Sequence, residues 1–362
     1  MKLFISFVFL FFITANSYSQ IKKQGKLVVQ TLLAKSIEGN HGGENPMRSI
    51  TIYLPPGYDE SQQRYPVIYF LHGFGLSDSQ MVMLTQFNLL LDDAINSGRL
   101  RPLIVVFPNS CTIYKGSFYT NSSLTGNWCD YIAKDVVDYV DQQYRTIAKR
   151  ESRGLAGHSM GGHGTLKIAM FYPDRFGALY ALSPALLKLE IGTDSLLGPA
   201  FKKVGTIKNP IEAFEGIQAP MGSLEWRKAF VNLLSVSLAR AYTPDEKNLP
   251  FEADFPLTFE NGEEVKHSDL IKKWNEQSPY NMIDSHIDAL KKYVAIKIDW
   301  GNHDQNKEIP VSSLLFSKKL ESLGIKNFAE EYEGDHINKI SGASGRIATQ
   351  LLPFFNQYLK FE

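Results

Sequence analysis

Arg153-Gly154-Leu155-Ala156-Gly157-His158-Ser159-Met160-Gly161-Gly162-His163-Gly164-Thr165 is the stretch whose reading decides the fold. Gly157 to Gly161 fits G-x-S-x-G, a sharp strand-to-helix turn that lifts a Ser Oγ above the end of a sheet. Leu155 and Ala156 end a short apolar run suited to a buried strand. After the turn, Thr165 to Met170 has helix-forming composition, with Leu166, Ala169 and Met170 spaced to share a face. Gly157 and Gly161 leave room where strand and helix crowd together, and Gly162 and Gly164 let the helix pack closely. The backbone N–H of Met160, at the helix N-terminus, would point at a developing oxyanion. A lone G-x-S-x-G recurs by chance, so the reading depends on partners elsewhere in the chain.

The 362 residues allow one large α/β domain or a catalytic domain carrying an insertion, and 44% hydrophobic residues supply ample core. A formal charge of zero gives no reason to expect nucleic acid or an anionic membrane surface as partner. Residues 1–19 read as a secretory signal peptide: Lys2, an apolar run from Leu3 to Ile13, then Ser17-Tyr18-Ser19 before Gln20. That run falls short of the ~20 residues a membrane span needs. Residues 20–362 are therefore expected as an exported mature chain, periplasmic or extracellular, with no membrane span. Cys111 and Cys129 could pair in an oxidising compartment or remain as two free thiols.

Strand-like runs cover Lys26 to Ala34 and Arg48 to Leu54, the second stopped by Pro55-Pro56-Gly57. Pro66 to Leu71 is continuously apolar, as expected for a strand covered on both faces, and leads into His72-Gly73-Phe74-Gly75. A helix is expected over Met81 to Ile95, a buried strand over Pro102 to Phe107, and a helix over Asp130 to Tyr144 with Ile132, Val136, Val137 and Val140 on one side. After the elbow, Ala178 to Ser183 is another strand. This alternation predicts a mostly parallel sheet with helices on both faces. Residues 186–290 break it, with helical pieces at Glu225 to Tyr242, Ser268 to Glu276 and Ser285 to Lys292 but no clear core strand. Such an insertion is either a cap or cleft wall, or a structural annex. The sheet resumes at Tyr293 to Trp300, followed by a helix over Val311 to Leu323, a strand over Asn327 to Tyr332 and a last helix over Ser344 to Tyr358.

A Ser hydroxyl needs a general base to attack an acyl carbon, and a third group to orient that base. In the α/β-hydrolase arrangement both follow the Ser, the acid first, each on a loop at the C-terminal edge of a strand. His336, in Glu333-Gly334-Asp335-His336 past the last strand, has that placement, whereas His267 and His286 sit in the polar insertion. Asp304, on the turn after Asp299-Trp300-Gly301, is the selected acid. Asp299 at the strand end is its competitor, and Asp335 would have to double back. The second oxyanion donor is expected from the His72-Gly73-Phe74-Gly75 loop, with the N–H of Phe74 first choice and that of Gly73 next.

With these residues in place the chain resembles the putative-esterase family of α/β-hydrolases, which includes esterase D, feruloyl and acetyl-xylan esterases, enterochelin esterases and the mycobacterial mycolyltransferases. The resemblance rests on Tyr53 to Asp59 (Y-L-P-P-G-Y-D), Tyr65 to Gly73, Thr125 to Trp128 (T-G-N-W), Tyr144 to Thr146, Gly154 to Gly164, Gly301 to Asp304 and Gly334 to His336. It covers residues 48–184 and 293–358 well and the insertion poorly. Relatives often carry a carboxylate where this chain has Cys129. The resemblance implies an α/β-hydrolase fold with a helical insertion and a secreted serine esterase without metal or organic cofactor. Ser159 would attack, His336 would shuttle the proton, Asp304 would orient it, and the N–H groups of Met160 and Phe74 would hold the oxyanion. Export then points to acylated carbohydrate, phenolic or siderophore esters as substrates. Two other readings remain: an acyltransferase to a sugar or lipid acceptor, and a non-catalytic exported carbohydrate-binding protein on a hydrolase scaffold.

Overall fold

A computed structural model describes residues 23–362, so the expected signal peptide lies outside the described residues. Eight strands form one sheet in the order β1 (Lys26–Leu33), β2 (Met47–Leu54), β4 (Ile104–Pro108), β3 (Val67–Leu71), β5 (Arg153–His158), β6 (Ala178–Leu182), β7 (Ala295–Gly301), β8 (Phe328–Tyr332). The first two strands pair antiparallel, β2 is antiparallel to β4, and every later pairing is parallel. This is the α/β-hydrolase sheet that the strand order and the elbow predict.

Successive strand side chains point to opposite faces, so a strand covered on both sides feeds two cores. Val67, Tyr69 and Leu71 of β3 enter one core, and Ile68 and Phe70 enter the other. Helices α1 (Asp78–Thr85) and α2 (Phe87–Asn96) cover the second face through Met81, Val82, Phe87 and Leu91. On the first face lie α3 (Val137–Gln143), with Val137 and Val140 buried, and α4 (Met160–Phe171), with Leu166, Ile168, Ala169 and Met170 buried.

Four expectations need correction. The helix expected over Met81 to Ile95 is two helices, because Gln86 takes a left-handed conformation (φ 50°, ψ 38°) that ends α1 and opens α2. Ser77 starts α1 earlier by accepting from the Gln80 N–H, a capping box placed upstream of the apolar pattern. The last two helices also differ. One runs Glu308–Ser322, with Pro310 in its first turn where a missing N–H costs nothing. The other opens as a wide turn at Ile347–Leu351 and continues as Leu352–Tyr358. Within 186–290 the helices at Leu224–Tyr242 and Ser268–Glu276 stand as expected, joined by an unforeseen helix at Gly198–Val204 and a two-stranded ribbon, Leu257–Glu260 with Glu263–Lys266, outside the main sheet. Cys111 and Cys129 are both free thiols. Among the described residues no helix is long and apolar enough to cross a membrane.

Lys167 of α4 is 1% exposed and donates to Thr120 Oγ1 (2.7 Å) and Gln277 Oε1 (2.9 Å). It has no carboxylate partner among the described residues, and burial pulls its pKa down to about 7. An unfolded lysine titrates near 10.4, so between about pH 7 and 10 the unfolded chain binds the extra proton and stability rises with pH. The buried Cys129 thiol is pushed up by burial and contributes the opposite sign. The difference between two proteins therefore isolates the amine. The thermal midpoint of Lys167→Met, compared with wild type at pH 7 and pH 9.5, should lack the wild-type upward component. Equal pH slopes in the two proteins would show that Lys167 does not titrate in this window.

Candidate active site

The elbow is built by close packing. Ser159 adopts φ 59°, ψ −116°, a sparsely populated conformation that only its surroundings can hold. Its N–H donates to Leu182 O (3.0 Å), and its carbonyl accepts from the N–H groups of His163 (3.0 Å) and Ala185 (3.1 Å). A Cβ on Gly161 would overlap the carbonyl of Leu71, and one on Gly157 would overlap the backbone of Gly161. Helix α4 thus lies against the C-terminal ends of β3 and β5, closer than any side chain allows.

The loop after β3 runs beside Ser159: a Cβ on Gly73 would lie 3.5 Å from the Ser159 Cβ. His72 fixes this loop. Its Nε2 accepts from the Ser110 N–H (2.8 Å), so the ring proton sits on Nδ1 and donates to Gly73 O (2.9 Å). Burial pulls its pKa down to about 4, so the ring stays neutral and the tautomer is determined. Holding the Gly73 carbonyl turns the far end of the same peptide, the Phe74 N–H, the other way. Gly75 and Leu76 donate to Lys115 O (2.9 Å) and Gly73 O (3.3 Å). Met160 is the first residue of α4, so its N–H has no acceptor within the helix.

A second loop, residues 110–120, packs on the first and escaped the sequence reading. Tyr119 donates to His72 O (3.0 Å), Gly116 lies against the Phe74 ring, and Phe118 and Tyr119 take φ 47° and 48°. Two aromatic residues in succession at positive φ carry no sequence signal, since this region ordinarily selects Gly or Asn.

His336 and Asp304 come together as the chain order requires. His336 Nδ1 lies 2.6 Å from Asp304 Oδ2; Asp304 is 1% exposed and the imidazole 23% exposed. A carboxylate only accepts, so the His336 proton is on Nδ1 and the ring lone pair is on Nε2. Asp299 is engaged elsewhere. It is fully buried, accepts from Arg346 Nε (2.9 Å) and Nη2 (2.7 Å), and is hydrogen-bonded to Tyr180 OH. Asp335 accepts from the N–H groups of Ile337 (2.8 Å) and Asn338 (2.7 Å) in its own turn. His303 is exposed, and His267 contacts Thr258 Oγ1 (2.8 Å) in the insertion ribbon. Residues 186–290 also reach the loop after β3. Phe230 stands edge-on to Phe74 with centroids 5.1 Å apart, and Trp226 stacks on Phe230 at 4.9 Å.

A family profile described as Putative esterase matches residues 45–339. The chain belongs to that family. It is 29% identical over 185 residues to an endo-1,4-beta-xylanase/feruloyl esterase of Xylanibacter ruminicola, covering 49% of this chain and 25% of the relative. It is 32% identical over 155 residues to an esterase of Mycobacterium tuberculosis, covering 41% of this chain and 32% of the relative. The chain thus spans a third or less of the length of these relatives. A solved ferulic acid esterase superposes with a TM-score of 0.61 at 18% identity, over 93% of this chain and 100% of that one, a likeness of fold.

The packing of the elbow yields a stability contrast. Gly161→Ala should lower folding stability by at least about 3 kcal/mol, because backbone rather than a flexible side chain must move. Gly192→Ala, whose nearest neighbour would be the Lys266 Nζ at 3.9 Å, should be neutral within about 0.5 kcal/mol. Urea unfolding of both variants measures the difference, and similar midpoints would contradict the packing argument.

Proposed function

We propose that the chain is an exported serine carboxylic-ester hydrolase working through an acyl-enzyme. The observation that carries the reading is the 2.6 Å hydrogen bond between His336 and Asp304, both positioned after Ser159 in the order the elbow demands. Ser159 Oγ attacks the acyl carbon as His336 Nε2 takes its proton, and Asp304 holds the tautomer that leaves Nε2 basic. The N–H groups of Met160 and Phe74 stabilise the oxyanion. The alcohol leaves with the proton from His336, and water, activated by the same imidazole, releases the acid.

Acylated carbohydrate, phenolic and siderophore esters are the substrate classes proposed. The Xylanibacter ruminicola relative, whose name includes feruloyl esterase, and the aromatic row Phe74–Phe230–Trp226 favour esters bearing a planar ring. Residues 1–19 are proposed to direct export and residues 186–290 to form a wall of the cleft that sets ester preference. Transfer of the acyl group to a sugar or lipid acceptor uses the same acyl-enzyme and is distinguished by whether such an acceptor competes with water.

Ser159→Ala and His336→Ala should each lower ester hydrolysis on the order of 10⁴-fold or more, with the double variant little worse. If Ser159→Ala keeps more than a few per cent of turnover, the mechanism fails. Asp304→Asn should cost roughly 10⁴-fold in kcat with the fold intact. Asp299→Asn should instead lower the thermal midpoint and leave turnover per folded molecule near wild type, because Asp299 partners Arg346. The reverse pattern would exchange their roles. Phe230→Ala and Trp226→Ala should raise KM for a feruloyl ester about tenfold relative to that for a small acetate ester. Equal changes for both esters would remove the insertion from substrate selection.

A further inference from the structure

The x residue of the elbow, His158, is only 6% exposed and has a partner that its neighbours do not explain. Its Nε2 lies 2.9 Å from the backbone carbonyl of His336, and the two imidazoles are 4.7 Å apart, tilted by 43°. A carbonyl only accepts, so Nε2 carries the proton and the lone pair is on Nδ1, on the side of Gly73. Burial and the adjacent His336 pull the pKa of His158 down to about 3, so the donor persists across the working pH range.

The other hydrogen bonds of the His336 loop run elsewhere. His303 N–H donates to Gly334 O (2.9 Å) and Gly334 N–H to Asn302 Oδ1 (3.3 Å), tying the loop to the turn that bears Asp304. Asp335 and Asn338 close the turn on itself. Asp304 restrains the imidazole only through Nδ1. Among the described residues, the bond from His158 is the one that joins this loop to the nucleophile strand. Asp304 fixes the rotation of the His336 ring, whereas His158 fixes where the backbone carrying that ring stands relative to Ser159.

We infer that His158 is a positioning residue for the reaction, a backbone strut that sets the spacing between Ser159 and His336. This rests on the assignment of Ser159 and His336 given above. A misplacement of about 1 Å can cost 10²-fold in rate, so the strut should act on kcat and not on ground-state binding. His158 exchanges no proton with substrate: its proton remains on Nε2 throughout.

Three variants of the full mature chain test the inference. His158→Gln places an amide N–H near the position of Nε2, His158→Asn reaches only as far as Nδ1, and His158→Leu removes the donor. Readouts are kcat and KM on p-nitrophenyl acetate, the rate of fluorophosphonate labelling of Ser159, and the thermal midpoint. His158→Leu and His158→Asn should lose about 10²-fold in kcat and labelling rate, with KM within about twofold of wild type. His158→Gln should recover to within about tenfold of wild type. Should His158→Leu not fold, the Gln and Asn contrast alone decides. Wild-type kcat in His158→Asn, or equal losses in the Gln and Asn variants, overturns the strut. Absence of Ser159 labelling in the wild-type protein instead overturns the assignment of the nucleophile, and the strut with it.

Discussion

The close approach of α4 to β3, set by Gly161 against the Leu71 carbonyl, is the constraint on which the rest of the site depends. Any side chain there would push the helix outward and move Met160 with it. The two proposed oxyanion donors come from the two sides of this contact, Met160 on the helix and Phe74 three residues beyond Leu71. The same packing holds Ser159 at positive φ, since neighbouring carbonyls and N–H groups already engage its backbone at both ends. Strain, donor spacing and exposure of the hydroxyl therefore share one cause: missing Cβ atoms where strand and helix meet.

Electrostatic selection works alongside the steric one. Four imidazoles crowd this end of the sheet, but desolvation holds three neutral: His72 near 4 and both His158 and His163 near 3. Each is also committed to the backbone, to Gly73 and Ser110, to His336, and to Ala185. His336 differs in keeping 23% of its side chain exposed and in having a carboxylate at Nδ1. The fold thus gives one imidazole a carboxylate partner and keeps the other three as neutral hydrogen-bonding groups, which avoids like charges packed together.

The eight-stranded sheet was legible because β3, β4, β6 and β7 are buried runs whose composition states their environment, and because the elbow motif fixes how strand and helix meet. His336 and Asp304 were legible from chain order, which is a topological constraint. Asp299 and Asp304 could not be separated by residue type alone, and the separating fact is the pairing with Arg346, 47 residues away. The break at Gln86 was illegible because a non-glycine left-handed residue leaves no compositional mark. The 110–120 loop was missed for the same reason, at Phe118 and Tyr119. Within 186–290 the helix Leu224–Tyr242 is buried from Asn232 onward, while Trp226 and Phe230 stay half-exposed; one end of the helix packs as a structural annex and the other is the part proposed as cleft wall.

The buried ion pair between Asp299 and Arg346 also bears on folding fidelity. In β7, Asp299 faces the same core as Tyr180 and the final helix, while Ile298 and Trp300 face the other. Parallel pairing with β6 and β8 sets Asp299 opposite Leu182 and Glu330. A slip of one residue would turn the carboxylate into an apolar layer and take from the guanidinium its buried partner, leaving it Glu330 alone, a penalty no hydrocarbon residue could impose. Such a slip would also displace Asp304 by one strand step, about 3.3 Å, taking it out of reach of His336. An ion pair outside the His336–Asp304 pairing thereby proofreads the alignment on which the proposed chemistry depends.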